Sequence, residues 1–344
     1  MKAAILVKNK KPLVVTEVEM PKKLEFGQVL VKIFYSGLCG SQVSEIDGLW
    51  GEDKNIPHLL GHEGSGVVLD FGPGVKTVSK GDHIVLHYMK SSGLDSPTPK
   101  YKWGEKIVSA GGVTTFNTHA IVSENRITKI PKDFDLRLAP VLGCAIPTAM
   151  GVINNEAEIK IGQSVVVFGL GGVGLAISQC ASLTSAHPII GIDLHKSKID
   201  LAKKFGVTHG LINNPSIERD IRSITGNDGA DTVIDVTGNS KIIELCYKIT
   251  SPVGKTILCG IPKENDNISI FTKPLHFHKT LKGSKGGGSK PDIDIPRYIK
   301  LLAAKKVHLD KFITHEYPLE KINEAITTLK SGEAGRIVIK MSHE

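Results

Sequence analysis

Residues 164–174 read Ser-Val-Val-Val-Phe-Gly-Leu-Gly-Gly-Val-Gly, an apolar run that ends in a glycine-rich turn. The run predicts a buried strand, and the residues that follow, VGLAISQCASL, predict a helix. Gly169, Gly171 and Gly174 have the spacing that supplies a tight turn, close approach of the backbone to a pyrophosphate, and close helix packing. This strand, turn and helix together predict a dinucleotide-binding fold.

A carboxylate stands where the second strand of such a unit should end. Asp193, in the segment PIIGIDLHKSK, lies about 20 residues past the last glycine of the loop. A carboxylate at this point hydrogen-bonds the adenosine ribose hydroxyls and repels a 2′-phosphate, so we expect NAD to be preferred over NADP. His195 and Lys196, just beyond it, are basic groups that could in principle meet a 2′-phosphate.

The sequence on either side of the glycine loop predicts the domain organisation. From about residue 161, short apolar strands alternate with helical segments, which indicates a parallel sheet covered by helices on both faces. Residues 1 to about 145 read instead as short strands between glycine and proline turns, typical of an irregular antiparallel β domain. After the break SKGGGSKPDIDIP the pattern is helix, helix, strand, which we expect to complete the β domain. The prediction is an α/β protein with a coenzyme domain at 146–286 and a β domain at 1–145 and 287–344.

Composition sets limits on the partners. The chain has 344 residues, 40% of them hydrophobic, and five scattered cysteines, which favours reduced thiols or metal ligation over a disulfide framework. The formal charge of +8 permits nucleic-acid binding, but the lysines are dispersed and lack interleaved aromatic residues, so we expect a solvated surface and no nucleic-acid partner. The initial apolar run is too short for a signal peptide and no stretch is long enough for a membrane span, which predicts a cytoplasmic protein.

Three short patches in the β half contain residues that can ligate a metal. They are Leu-Cys39-Gly-Ser-Gln, Gly-His62-Glu-Gly-Ser-Gly and Leu-Gly-Cys144-Ala-Ile-Pro. Each residue taken singly is ordinary, because a cysteine in an apolar stretch is usually a small buried hydrophobe. Their spacing in the chain does not show that they meet in space.

The order of the motifs resembles the medium-chain dehydrogenase/reductase superfamily and, within it, the zinc-dependent alcohol dehydrogenases, along essentially the whole chain. The shared order is a Cys-Gly-Ser patch, a GHEGxG patch, a GPGV turn with GDHIV, a Leu-Gly-Cys patch, the glycine loop and a terminal GRIVI strand. The resemblance implies a GroES-like β domain plus a Rossmann doubly wound parallel-sheet domain, with the active site in the cleft between them. It also implies one catalytic zinc held by Cys39, His62 and Cys144, whose fourth position stays open.

The resemblance implies further roles around these groups. Ser41 matches a hydroxyl that passes the substrate proton outward, and Glu63 matches a carboxylate near the metal, with an outer-sphere or surface acid as the alternative. Cofactor contacts are implied at Thr148 and Val173 beside the nicotinamide, Lys198 at the adenosine ribose and Arg336 at the pyrophosphate, besides Gly169, Gly171, Gly172, Gly174 and Asp193. Trp50 and Tyr88 match positions that line the substrate pocket, with core packing as the alternative.

Three departures from the family pattern matter. The stretch 88–106, YMKSSGLDSPTPKYKWGEK, contains no cysteine, so we expect no structural zinc and one zinc per subunit. Gln42 stands where an aspartate often orients the ligating histidine, and a neutral amide accepts more weakly from an imidazole N–H. Ser44 stands where several members have a relay histidine, so the resemblance does not define the proton path beyond Ser41.

The resulting prediction is reversible hydride transfer between NAD and a primary or secondary alcohol, giving an aldehyde or ketone. A polyol or sugar-derived alcohol, a simple primary alcohol and an aromatic alcohol all fit the ligand set. Two alternatives stay open, a zinc-free quinone or enoyl reductase of the same superfamily and a non-enzymatic nucleic-acid-binding protein. A homodimer or homotetramer is implied by the resemblance alone.

Overall fold

The computed structural model describes residues 1–342, and they form two compact units. The first unit contains Met1–Cys144 and the chain from Lys290 onward, and the second contains Ala145–Ser289. Strands and helices are numbered here along the whole chain.

The first unit is built mainly from strands. They are β1 (Lys2–Leu6), β2 (Val14–Glu17), β3 (Gln28–Leu38), β4 (His58–Leu59), β5 (Glu63–Phe71), β6 (His83–His87), β7 (Tyr101–Trp103), β8 (Lys106–Val108), β9 (His119–Ser123), β10 (Ile127–Lys129), β17 (Ile313–Pro318) and β18 (Arg336–Lys340). The helices of this unit are α1 (Gly40–Ile46), α7 (Pro291–Ala303) and α8 (Ile322–Ser331).

A seven-stranded sheet forms the centre of the first unit. Its order is β10-β6-β5-β3-β18-β17, and β9 also pairs with β3. All of these pairs are antiparallel except β17 with β18. Alternate residues of β3, namely Val29, Val31 and Ile33, point into an apolar core and are fully buried, which fixes the register of the sheet. A three-stranded sheet β2-β1-β4 and the hairpin β7–β8 complete the unit.

The second unit is a parallel sheet with helices. Its strands are β11 (Val165–Phe168), β12 (Ile189–Asp193), β13 (His209–Ile212), β14 (Ala230–Asp235), β15 (Thr250–Leu258) and β16 (Thr280–Gly283). Its helices are α2 (Ala145–Gly151), which a π-helical segment continues to Ala157, α3 (Gly172–Leu183), α4 (Lys196–Lys203), α5 (Ile217–Thr225) and α6 (Ser240–Ile249).

The strand order of this sheet is β13-β12-β11-β14-β15-β16, with every neighbouring pair parallel. The chain therefore runs outward from β11 to β13 and then crosses back to β14. Ligands of such doubly wound sheets bind at the carboxyl ends of the strands where the order reverses. The glycine loop follows β11, so the predicted parallel sheet and the α/β class are confirmed, with the loop at that point.

Among the helices of residues 1–342, none is both long enough and apolar enough to cross a membrane.

One carboxylate ties two surface loops of the first unit together. Glu124 follows β9 and is 2% exposed. Its Oε1 accepts from the backbone N–H of Lys76 at 2.6 Å and of Thr77 at 2.8 Å, and from Thr77 Oγ1 at 2.9 Å. Its Oε2 accepts from the N–H of Leu94 at 2.8 Å, within the cysteine-free stretch 88–106. This carboxylate therefore anchors that stretch to the turn at residues 72–77.

We expect Glu124→Ala to lower the free energy of unfolding by about 3 kcal/mol, since several backbone donors would lose their acceptor. Chemical denaturation at neutral pH measures this. The matched control is Glu105→Ala, at an exposed turn residue of the β7–β8 hairpin, where we expect a change below about 0.5 kcal/mol. Equal effects of the two substitutions would show that Glu124 does not anchor the loops.

Candidate active site

Cys39, His62 and Cys144 meet in the first unit. Their ligand atoms all lie within 4.8 Å of one another. Cys39 directly follows β3 and occupies the N-cap position of α1, His62 directly precedes β5, and Cys144 directly follows the short 3-10 helix Ala139–Gly143. Both cysteines are buried, at 8% and 7% exposure. Three chain segments that are distant in sequence thus bring two sulfur atoms and one imidazole to one point.

The charge state of these groups is coupled. A hydrogen bond from the Cys144 thiol, assisted by the nearby His62 ring, holds the pKa of Cys39 well below its ordinary value. The same hydrogen bond, together with burial, raises the pKa of Cys144 well above the ordinary thiol value. Burial opposes charge on His62, but the hydrogen bond and charge of Cys39 outweigh it and raise the pKa of the ring. Of the two sulfurs, Cys39 is therefore the one whose surroundings favour the thiolate.

This donor set fits zinc. Two cysteine sulfurs and one histidine nitrogen are preferred zinc ligands, and three protein ligands are typical of catalytic sites because they leave the fourth position to water or substrate. The His62 ring meets the ring of Tyr88 edge to face, with centroids 5.5 Å apart and planes at 72°. Tyr88, predicted to line the substrate pocket, thus lies directly beside a ligand.

Behind the cluster lies a buried ion pair. Arg336, at the start of β18, donates from its Nη2 to Glu63 Oε1. Exposure is 4% for Arg336 and 0% for Glu63. Burial raises the pKa of Glu63 in spite of the guanidinium. Burial opposes the charge of Arg336 as well, but Glu63 and the Cys39 thiolate outweigh it and raise its pKa. Two predicted site residues are therefore each other's partners.

Residues of α1 connect Cys39 with the chain around His62. Ser41 is partly exposed in the first turn of this helix, two residues after Cys39. Gln42 is buried, and its Oε1 accepts from the backbone N–H of Gly61, the residue before His62. The amide of Gln42 thus acts on the peptide next to the ligand, whereas the sequence predicted a weak acceptor for the imidazole itself.

A second buried histidine near the cluster is not placed to ligate. His87 is 0% exposed, with Nδ1 2.7 Å from the Met89 carbonyl oxygen and Nε2 2.9 Å from Thr128 Oγ1. Since Nδ1 donates to the carbonyl, the neutral ring uses Nε2 to accept from the hydroxyl. Burial lowers the pKa of His87 to about 4. The ring is therefore neutral in the folded protein at neutral pH.

This burial predicts a loss of stability in acid. The folded pKa of about 4 lies below the ordinary value of 6.5, so the stabilisation is fully present above pH 6.5 and is lost as the pH falls toward 4. Its size is about 3 kcal/mol, because one pKa unit corresponds to about 1.4 kcal/mol. Denaturation curves at pH 7 and pH 4.5 measure the loss. His87→Gln, which cannot charge, should show a flatter pH dependence, and an unchanged slope in that variant would contradict the assignment.

The glycine loop of the second unit forms a cradle. Gly169 has φ +91°, and a Cβ on Gly174 would lie 1.9 Å from the Gly169 carbonyl oxygen, so neither position tolerates a side chain. A Cβ on Gly171 would meet no atom within 4 Å, which leaves open space over the loop. The loop leads into α3 at Gly172, and a helix N-terminus attracts anions. This arrangement fits the pyrophosphate of a dinucleotide.

Asp193 ends β12 beside that loop. Its Oδ2 accepts from the backbone N–H of Leu170 at 2.8 Å, and its Oδ1 accepts from the N–H of His195 at 3.0 Å. Two backbone donors thus fix the carboxylate next to the glycine loop. Lys198 lies in the first turn of α4, two residues after the exposed Lys196.

The remaining predicted positions are scattered over the two units. Thr148 is buried in α2, Val173 is partly buried in the first turn of α3, and Trp50 is 39% exposed just after α1.

The structure also contains a group that the sequence did not predict. Glu45, Asp53 and His58 form a second cluster whose ligand atoms lie within 4.8 Å of one another. No spacing in the sequence signals it, because a turn of irregular backbone separates its members.

Two protein-family models match the chain. The description "Alcohol dehydrogenase GroES-like domain" matches residues 25–132, and "Zinc-binding dehydrogenase" matches residues 172–306. The chain is similar to alcohol dehydrogenase 2 of Oryza sativa subsp. japonica, at 32% identity over 99% of this chain and 97% of that protein. It is also similar to the class-3 alcohol dehydrogenase of Cereibacter sphaeroides, at 31% identity over 98% of this chain and 99% of that one.

Two solved structures are also similar to the chain. An alcohol dehydrogenase zinc-binding domain protein from Burkholderia ambifaria superposes with a TM-score of 0.90 at 27% identity, with 99% of each chain covered. The benzyl alcohol dehydrogenase of Acinetobacter calcoaceticus superposes with a TM-score of 0.88 at 26% identity, again over 99% of each chain.

Proposed function

The chain belongs to the zinc-dependent alcohol dehydrogenases of the medium-chain dehydrogenase/reductase superfamily, and from that membership we propose that it oxidises a primary or secondary alcohol reversibly with NAD. The observation that carries the proposal is the meeting of Cys39, His62 and Cys144 within 4.8 Å. A zinc-free quinone or enoyl reductase has no use for such a donor set. The proposal includes one zinc per subunit.

The chemistry divides between bound groups and the chain itself. Zinc supplies Lewis acidity toward the alcohol oxygen, and NAD supplies the hydride acceptor. Cys39, His62 and Cys144 would hold the zinc, and three protein ligands would leave room for substrate. Ser41, next but one to Cys39, takes the hydroxyl proton and passes it outward. The partial exposure of Ser41 supports this role.

The cofactor is proposed to lie across the glycine loop. The open space at Gly171 and the N-terminus of α3 support a pyrophosphate there, and Asp193 supports contact with the ribose hydroxyls and hence NAD rather than NADP. Thr148 and Val173 are proposed beside the nicotinamide and Lys198 at the adenosine ribose. Arg336 stays a proposed pyrophosphate contact, supported by its Nε, which has no hydrogen-bond partner within residues 1–342.

The substrate is proposed to be a small alcohol. Tyr88 packs edge to face on His62, and Trp50 is partly exposed after α1, so both are proposed to line the pocket. The proposal that Glu63 approaches the metal requires it to loosen its contact with Arg336. The homodimer or homotetramer is carried over from the family resemblance, and the cytoplasmic location from the sequence prediction.

A panel of alcohols tests the proposal. Primary aliphatic, benzylic and polyol substrates would be incubated with NAD, and NADH would be followed by its absorbance. We expect NADH formation with at least one class, and the aldehyde or ketone should support the reverse reaction. Reduction of quinones or enones by purified protein that contains no zinc, with no alcohol oxidised, would establish the reductase alternative instead.

A further inference from the structure

The cluster of Glu45, Asp53 and His58 contains one hydrogen bond and one longer ion-pair contact. His58 Nε2 lies 2.6 Å from Asp53 Oδ2 and 3.8 Å from Glu45 Oε1, and Nδ1 lies 3.0 Å from the Leu59 carbonyl oxygen. The His58 side chain is 9% exposed. Zinc bonds of about 2.0–2.2 Å need more room than a 2.6 Å contact between two ligand atoms gives. The short contact therefore marks His58 and Asp53 as a hydrogen-bonded pair, with Glu45 beside it.

Gln42 joins this network to the zinc-ligand segment. Its Nε2 donates to Glu45 Oε2 at 2.9 Å, while its Oε1 accepts from the backbone N–H of Gly61. Because Glu45 binds the amide nitrogen, the orientation of the amide is set and its oxygen is directed at the Gly61 peptide. Gln42 and Glu45 both lie on α1, whose first residue follows Cys39. One amide thus connects the helix that begins after Cys39 with the peptide before His62.

The opposite side of the His62 segment is fixed by other groups. Gly61 has φ +90°, and a Cβ there would lie 2.3 Å from Thr115 Oγ1, so the backbone is pressed against residue 115. Thr115 Oγ1 and Ser36 Oγ both lie within hydrogen-bond distance of the Glu63 carbonyl oxygen, at 3.2 Å and 3.1 Å. Hydrogen bonds therefore fix the backbone both before and after His62. Gln42, on α1, makes the bond to the residue before it.

We propose that Gln42 is a positioning residue for the zinc site, which holds the His62 backbone at a set distance from Cys39 and is itself oriented by Glu45 and the His58–Asp53 pair. The proposal rests on the proposed zinc-dependent function. In this proposal the position of His62 is set by a hydrogen bond to the neighbouring Gly61 peptide, and not by an acceptor that binds the imidazole ring. Outer-sphere partners of metal ligands contribute roughly 10- to 100-fold to metal affinity.

Two variants, one that removes the amide and one that exchanges the residues at positions 42 and 45, separate this role from simple packing. Gln42→Met keeps the length of the side chain but has no oxygen to accept from Gly61. The double variant Gln42→Glu with Glu45→Gln restores an acceptor at position 42 and a donor at position 45, with the total charge unchanged. The control is Gln28→Met, at another buried glutamine of the first unit, whose Nε2 donates to the Pro97 carbonyl oxygen.

The readouts are zinc affinity from competition with a chelator, the charge-transfer and d–d bands of the cobalt-substituted protein, and the increase in unfolding midpoint that zinc causes. We expect Gln42→Met to lower zinc affinity roughly 10- to 100-fold and to change the cobalt bands, while the exchanged double variant recovers most of both. Gln28→Met should lower the midpoints of the metal-free and zinc-loaded forms equally.

The proposal is overturned if Gln42→Met keeps the zinc affinity and cobalt bands of the natural protein, if the double variant is no better than Gln42→Met, or if Gln42→Met behaves like Gln28→Met. A variant that folds poorly is still informative, because the zinc-dependent increase in midpoint is compared within each variant. Absence of zinc binding at the three ligands of the natural protein would instead refute the proposed function, so the two failures are distinguishable.

Discussion

The Cys144→Ala variant is expected to lose its zinc and its alcohol-dependent NADH formation. Removal of one of three donors leaves Cys39 and His62, which are too few for a stable site with an open position. A metal acting as a Lewis acid contributes several kcal/mol, so turnover should fall roughly a thousand-fold or more. Zinc content by elemental analysis and initial rates with NAD measure the two losses.

Two controls accompany this substitution. Cys259→Ala removes another cysteine, one that lies in the second unit and outside the ligand cluster, and should keep zinc and activity. NAD binding by Cys144→Ala should be largely unchanged, because the glycine loop and Asp193 belong to the second unit. Full activity of Cys144→Ala with one zinc per chain would remove Cys144 from the site.

The Asp193→Asn variant is expected to shift cofactor preference from NAD toward NADP. The substitution keeps the shape but removes the charge that would bind ribose hydroxyls and repel a 2′-phosphate. A hydrogen bond to a charged group contributes about 1.5–3 kcal/mol, so kcat/KM for NAD should fall roughly 10- to 100-fold. The exposed His195, two residues further on, would then supply a basic group near a 2′-phosphate.

Asp200→Asn is the matched control for cofactor choice. Asp200 is an exposed carboxylate of α4 paired with Lys196 and Lys203, and its loss should leave the preference unchanged. Steady-state kinetics with NAD and with NADP measure the ratio of kcat/KM for the two cofactors in each variant. Better use of NADP than of NAD by the natural protein, or an unchanged ratio in Asp193→Asn, would refute the assignment.

The coenzyme fold was predictable because its signals are local. The apolar run at 164–168, the glycine turn and the following helix occur in one continuous segment, and the parallel sheet confirms them. The sequence reading did not identify β17, Ile313–Pro318, whose residues ITHEYP show no strong apolar alternation. That strand forms through pairing with β18, which is a tertiary contact. The hairpin β7–β8 was not predicted either, because each of its strands has only three residues.

Predictability within the candidate site differs from residue to residue. Cys39, His62 and Cys144 could be named from motif order, but only the folded chain brings them within 4.8 Å. The partnership of Glu63 with Arg336, which are 273 positions apart, has no local signal. The contact of Gln42 with Gly61 depends on the path of the chain between them, so the sequence indicated the unusual residue but not its partner.

Zinc removal and restoration test the central claim most directly. The purified protein would be treated with a chelator until elemental analysis shows no zinc, assayed for alcohol-dependent NADH formation, and assayed again after zinc is returned. Activity should disappear with the metal and recover as zinc approaches one equivalent per chain. Undiminished alcohol oxidation by the metal-free protein would contradict the account.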